Sequence, residues 1–217
     1  RDVDRSRGLE MCIRDSNSTL VGCRIPGNKL AKKLITLFDL PIAAPSANLS
    51  ERTSVTNIMD IDPILVKKIF VLKDKQSSHG LESTVVRIDT NNEIEVLRYG
   101  SITVEELNKY AKVKIKKKSS ISPGNLKKHY STLKPIRMNA KRILKNEGLL
   151  NFGNNKLKSK IINLNLSNKK NLNEAAKNFY HYLHKLDQSR CKKIAVVEIP
   201  DKGLGKTIND RLRRAIK

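Results

Sequence analysis

The segments Ala44-Pro45-Ser46-Ala47-Asn48-Leu49-Ser50 and Gly80-Leu81-Glu82-Ser83-Thr84-Val85-Val86 each set small hydroxyl and amide side chains against a short apolar run. Such side chains are too polar for a core and too short for a solvated face; at the end of a strand they suit contact with a polar ligand. Pro45 has no N–H and cannot continue a central ladder, so the chain must leave the sheet there. Ser46 and Asn48 then stand two apart, where both side chains can point the same way. Taken singly, each can equally close an Asx or Ser turn on its own backbone. The pairing of the two segments is what favours a site. Arg98, ahead of Tyr99-Gly100, offers a forked cation for a phosphate, and Arg24, at the end of an earlier apolar run, offers one for a carboxylate; a structural cation is the alternative for both.

Other motifs carry less. Gly203-Leu204-Gly205-Lys206-Thr207 lies between strand and helix patterns, where a phosphate loop belongs, but the glycine such a loop needs further upstream is replaced by Pro200. The segment reads instead as a flexible turn leading into the last helix. His181 and His184 are one helical turn apart with no acidic or cysteine cluster to supply a third metal ligand. No Ser, His and Asp set and no Cys and His pair has the context of a covalent catalyst.

The elements that must position these residues alternate. Thr19 to Ile25, Ile42 to Ala44, Lys68 to Leu72, Thr84 to Ile88 and Ile94 to Leu97 read as strands, and Leu30, Leu34, Ile35 and Phe38 recur at helical spacing. Asn91-Asn92 reads as a hairpin turn, which makes the sheet mixed. Ser101 or Thr103 caps a helix with Glu105 and Glu106 in its first turn. Lys112 to Lys134 loses apolar period and reads as a linker. Beyond it, strands at Gly148 to Phe152, Ile161 to Leu166 and Lys193 to Ile199 alternate with helices at Glu174 to Leu186 and from about Thr207. The expected class is α/β, a twisted mixed-sheet domain joined by a linker to a small Rossmann-like domain. Its expected boundaries are 17–111, 112–135 and 136–217. Residues 1–16 show neither period, are rich in arginine, and are set aside as foreign to the fold.

A formal net charge of +23 ordinarily points to a polyanion. Here the excess is mostly lysine spread over helix faces, and aromatic residues are 4% of the chain and do not interleave with the basic runs, so no base-stacking platform is present. An anionic small ligand such as a nucleotide fits better than nucleic acid. Cys12, Cys23 and Cys191 are far apart and in no paired spacing, which argues for a reducing compartment, and no run is long and apolar enough to span a bilayer. The cytoplasm is the expected location, with no membrane partner.

In order along the chain, Pro45-Ser46-Ala47-Asn48, Ser54, Gly80-Leu81-Glu82-Ser83-Thr84-Val85-Val86, Leu97-Arg98-Tyr99-Gly100-Ser101-Ile102-Thr103, Ser122-Pro123-Gly124 and His129-Tyr130 resemble successive signatures of the two-domain L-threonylcarbamoyladenylate synthases. Gly203-Leu204-Gly205 with Asn209-Asp210-Arg211-Leu212-Arg213-Arg214-Ala215 is similar to the end of that family's second domain. The resemblance implies an enzyme that joins L-threonine, bicarbonate and ATP into threonylcarbamoyl-AMP and releases pyrophosphate, feeding other proteins that make threonylcarbamoyladenosine on tRNA. It implies that Ser46, Asn48, Ser54, Arg98, His129 and Tyr130 hold ATP and that Arg24, Ala44 and Ser83 hold threonine. ATP enters as a substrate, a magnesium ion on its phosphates is implied, and direct tRNA binding is allowed but not required. Glu51 and Thr53 stand where the family carries Gly and Pro, Leu20 where it carries Thr, and Tyr99 where it carries Pro. The family's amino-terminal half, with a Lys-x-Arg nucleotide motif, has no counterpart here, so the chain is expected to be a fragment that is inactive by itself. The competing reading is a tRNA- or RNA-binding module without catalysis; a further rival is a paralogue with the same fold and other substrates.

Overall fold

The structure, a computed structural model, describes residues 22–43, 48, 52–72, 79–115 and 130–216. The readings made for residues 1–16, Ala44, Ser46, His129 and most of the linker lie outside the described residues. In the first part of the chain, α1 (Lys29–Phe38) is capped by Asn28, whose side chain accepts from the Ala31 N–H at 2.8 Å. Its apolar stripe follows the predicted spacing, yet Leu34, Leu37 and Phe38 remain exposed. A single 3₁₀ turn (Ile58–Asp60) and a short helix α2 (Pro63–Val66) follow.

The strands expected at Thr19 to Ile25, Ile42 to Ala44 and Lys68 to Leu72 are not strands where they are described. Residues 22–26 and 41–43 carry no regular structure, and Lys67 to Ile69 extend the turn that leaves α2. A strand exists through its ladder, and apolar composition alone supplies no partner. Pro26 and Pro41, which lack the N–H a ladder needs, directly flank two of these runs.

The hairpin reading holds. Strands β1 (Val85–Ile88) and β2 (Ile94–Arg98) pair antiparallel through a turn in which the Asp89 carboxylate accepts from the N–H groups of Asn91 and Glu93, both at 2.9 Å. Asn92 takes the left-handed conformation, φ 56°, that such a turn requires. Thr103 caps α3 (Val104–Leu107) in a full capping box with Glu106. Strand β3 (Val113–Ile115), at the start of the stretch read as linker, adds parallel to β2 and makes a mixed sheet in the order β1-β2-β3.

The second sheet is wholly parallel, with β4 (Ile136–Arg137), β5 (Glu147–Asn151), β6 (Asn163–Asn165) and β7 (Lys193–Val196) in the order β4-β7-β5-β6. Helix α4 (Leu172–Gln188) packs on β5 and on α5 (Leu204–Ala215). Ala175, Ala176, Phe179, Tyr180, Leu183 and Leu186 form its buried face, and Leu149, Leu150, Ile194 and Val196 supply the sheet side of one core. The β5 strand is buried throughout, as a central parallel strand must be.

The first sheet docks on this core through close backbone contact. Gly80, at φ +63°, lies against α4, where a Cβ would sit 2.3 Å from the Ala176 carbonyl oxygen. Only glycine fits both the conformation and the approach. Near the end of the stretch read as linker, Lys134 closes the carboxyl end of α4, donating from Nζ to the carbonyls of Leu186 (2.9 Å), Asp187 (2.5 Å) and Ser189 (2.5 Å). Asp187 in turn accepts from the Leu133 and Lys134 N–H groups at 2.9 and 3.1 Å. A cation here serves both the unpaired carbonyls and the helix dipole. Lys134→Met is expected to destabilise the fold by about 2 kcal/mol, read as a lower urea midpoint with an unchanged slope.

Candidate functional site

Ser83 joins the two arginines singled out in the sequence. Arg98 closes β2 and Val85 opens β1, and the hairpin register sets them opposite one another. The Arg98 Nη2 group donates to the Ser83 carbonyl at 2.9 Å, and Arg24, from the segment before α1, donates from Nη1 to the Ser83 hydroxyl at 3.2 Å. Two guanidinium groups thus converge on one residue at the entry to a strand. Thr84 fixes the neighbouring loop, its hydroxyl accepting from the Ile102 N–H at 3.0 Å and donating to the Ile102 carbonyl at 2.6 Å.

Of the other predicted residues, Ser54 donates its hydroxyl to the carboxylate of Glu82, the residue before Ser83. Asn48 donates to the Arg52 carbonyl at 3.1 Å, and Arg52 forms an isolated parallel bridge with Ser131. Tyr130 is buried, at φ 66°, with its ring 4.6 Å from the Arg211 guanidinium and 6.1 Å from the Tyr180 ring. The arrangement therefore gathers Arg24, Ser83 and Arg98, ties Ser54 to them through Glu82, and places Tyr130 behind Arg211.

Glu82 and Arg211 are the residues that sequence reasoning left without a role. The Arg211 side chain is fully buried on α5 and donates from Nε to Glu82 at 3.0 Å, from Nη2 to the Tyr99 carbonyl at 2.6 Å and from Nη1 to Asp210 at 2.5 Å. Glu82 also accepts from the Tyr180 hydroxyl at 2.6 Å. Burial alone would push the Glu82 carboxyl up, but the Arg211 guanidinium and the hydroxyls of Ser54 and Tyr180 outweigh it and hold the group below the usual range. Burial, with the Glu82 charge added, raises the Tyr180 phenol well above its ordinary value. A signal was present: Ile208, Arg211, Leu212 and Ala215 occupy one helical face, so a charge lies on the apolar stripe and demands a buried partner. Its partner lies 129 residues away, beyond any local pattern.

The two histidines of α4 also clasp the first part of the chain. His181 Nδ1 lies 3.0 Å from the Asp60 carboxylate, and His184 Nε2 lies 3.1 Å from the Thr53 hydroxyl. Among the described residues, no group of three or more His, Cys, Asp or Glu side chains could hold a metal ion. Lys206 and Thr207 of the glycine-rich segment lie in the first turn of α5, where the Thr207 hydroxyl donates to the Gly100 carbonyl at 3.0 Å and ties the helix to the chain leaving β2. Gly203 takes the cap position of α5 with no side-chain cap. Among the described residues, no helix is long and apolar enough to cross a membrane.

Residues 102–216 match the family model described as threonylcarbamoyl-AMP synthase, C-terminal domain, and residues 4–100 match one described as telomere recombination. The chain belongs to the family of the threonylcarbamoyl-AMP synthase C-terminal domain. The threonylcarbamoyl-AMP synthase of Pyrococcus abyssi is 26% identical over 223 residues, covering 90% of this chain and 63% of the relative. That of Bacillus subtilis is 28% identical, covering 90% and 62%. The Schizosaccharomyces pombe synthase is 35% identical over 122 residues, or 50% of this chain and 30% of the relative. Among solved structures, P. abyssi Sua5 complexed with L-threonine is similar with a TM-score of 0.72 at 24% identity, covering 88% of this chain and 62% of that one. A variant of P. abyssi Sua5 in which a histidine and the tyrosine after it are both replaced by alanine gives 0.68 at 25%, covering 88% and 60%. The mixed α/β fold is thus shared, and the chain spans about three fifths of the length of the P. abyssi and B. subtilis relatives.

Removing one member of the Arg211 cluster separates its terms. Arg211→Met leaves the Glu82 carboxylate uncompensated and is expected to cost about 3–5 kcal/mol in chemical denaturation, while Arg211→Met with Glu82→Leu recovers part of that loss. Glu147, bound bidentately by Arg137 at 2.8 and 2.6 Å, is likewise held low, first by those hydrogen bonds. Both carboxyls have folded-state values below their unfolded values near about 4.3. Their stabilisation is complete above that range and is lost as pH falls through the folded-state values. The thermal midpoint is expected to drop with acidification in this window, and less steeply in Glu82→Gln.

Proposed function

We propose that the protein carrying this sequence is an L-threonylcarbamoyladenylate synthase, a nucleotidyltransferase that supplies tRNA threonylcarbamoyladenosine formation in the cytoplasm. The observation that carries the reading is the convergence of Arg24 and Arg98 on Ser83, within segments matching that family's motifs in order. The threonine-bound P. abyssi relative supports the substrate class. The proposed domain layout is a partial synthase domain over residues 17–111, a linker over 112–135 and a Rossmann-like domain over 136–217.

The chemistry asks for positioning and charge and needs no protein nucleophile. The threonine amine and bicarbonate condense to a carbamate with loss of water. A carbamate oxygen then attacks the α-phosphorus of ATP, the bond to the bridging oxygen breaks, and pyrophosphate leaves. Arg24, with the Ser83 hydroxyl and Ala44, holds the threonine carboxylate and amine. Arg98, Ser46, Asn48, Ser54 and the His129-Tyr130 pair frame the nucleotide. The hydroxyl of Ser54 and the ring of Tyr130 act through Glu82 and Arg211, which they touch. Magnesium, if bound, travels with the nucleotide phosphates, and no step above is routed through it.

Threonine- and bicarbonate-dependent release of pyrophosphate from ATP tests the reading. Arg98→Ala is expected to weaken ATP use and Arg24→Ala to raise the threonine requirement, each by roughly ten- to a hundredfold for a lost charge-assisted contact. Equal effects of both changes on both substrates would contradict the separate roles.

A further inference from the structure

Parallel strands send their carboxyl ends the same way, and the loops leaving β4, β5, β6 and β7 meet around a cavity of about 470 Å3. Asn139 and Lys141 come from the first loop, Asn154 from the second, Lys170 from the third and Glu198 from the fourth. In open parallel sheets this edge is where ligands lie, because the strand ends hold diverging loops rigidly around a crevice. The cavity shares no residue with the cluster of Arg24, Ser83 and Arg98.

The loops show a second feature. One residue in each of the first three is held in the left-handed region: Asn139 at φ 55°, Gly153 at φ 78° and Lys170 at φ 58°. For a lysine that conformation is strained, and outliers of this kind gather at ligand sites. The Lys170 stem is also laid across Gly153, where a Cβ would stand 2.8 Å from its Cγ and Cε atoms. The lysine's place thus depends on glycine at that position. The amide groups at the start of α4 are not what an anion would meet, because the Asn171 side chain already accepts from the N–H groups of Asn173 and Glu174 at 2.8 and 3.1 Å.

Chemistry narrows the ligand. Lys141 and Lys170 line the cavity with one acid, Glu198, and with Phe152 and Val197, which keep 6% and 7% of their surface exposed. Two lysines and several asparagine amides sharing one cavity with an aromatic and an aliphatic side chain suit a phosphate attached to a ring. A volume of this size lies in the range of ordinary small-ligand sites, about 300–1,000 Å3. We infer that this cavity binds a small phosphorylated metabolite of nucleoside monophosphate size, its phosphate between Lys141 and Lys170 and its ring over Phe152 and Val197. The site shares no residue with the proposed synthase cluster.

The test titrates the full chain with AMP, with adenosine and with inorganic phosphate, read by calorimetry and by amide NMR shifts. AMP is expected to move the amides of residues 139–141, 153–155, 170 and 198. Binding should persist in Arg98→Ala and fall roughly tenfold in Lys141→Ala and again in Lys170→Gly, a change that suits the left-handed backbone at 170. Phosphate alone should move the lysine loops more weakly, and adenosine should bind more weakly than AMP. Equal binding of AMP and adenosine would overturn the phosphate assignment. Binding abolished by Arg98→Ala but untouched by the lysine changes would place the nucleotide at the synthase cluster, ending this proposal and leaving the synthase reading intact. Absence of shifts in the four loops at millimolar AMP would end it as well.

Discussion

A guanidinium with no exposed surface organises this molecule. Removing Arg211 from water is costly by several kcal/mol unless every donor is met and the charge is balanced. Here Nε, Nη1 and Nη2 all find oxygen partners, and the group stacks on the Tyr130 ring. Those partners come from widely separated parts of the chain: Glu82 before β1, Tyr99 after β2, Tyr130 ahead of β4 and Asp210 on the same helix. An apolar residue at 211 would fill the space but would not select that one arrangement. The carboxylate it selects is covalently next to Ser83, so the position of the candidate site is set from the second domain.

Helix α4 reinforces the same constraint from the other side. Tyr180 reaches Glu82, while His181 and His184 reach Asp60 and Thr53, so one face of one helix grips both the segment carrying Ser54 and the loop carrying Ser83. Gly80 allows that loop to lie directly on the helix backbone. The result is a rigid backing for one side of the site. Among the described residues, α1 buries none of its positions, and Ile25 is 89% exposed. Arg24 therefore approaches Ser83 from the irregular segment before α1, whereas Arg98 approaches from a paired strand.

Legibility in the sequence followed the range of the interactions. The hairpin, the Thr103 cap, α4 and strands β5, β6 and β7 rest on local periods and turn chemistry, and each was readable within a few residues of its observed ends, whereas the two-residue β4 was not. The early strands failed because pairing is non-local and an apolar run can be left exposed, as Phe70 is at 88%. Arg24, Ser83 and Arg98 were legible as residue types at strand ends and by resemblance. Their geometry was not, because it passes through Glu82, Tyr180 and Arg211, whose contacts span 98 and 129 residues.

The large positive charge takes on a different meaning beside these contacts. The cations that meet the core or the candidate site, Arg211, Arg137 and Arg98, are arginines with fixed partners, while most of the lysines lie on exposed faces. A planar fork can satisfy several acceptors at once in a dry setting, and an ammonium is better left in water. Lys134 departs from this division and makes the reason clear: its three acceptors are carbonyls converging at a helix end, a geometry that a point charge fills and a fork does not. The arginine and lysine choices thus mark where the structure needs direction and where it needs only charge, and the candidate site falls among the former.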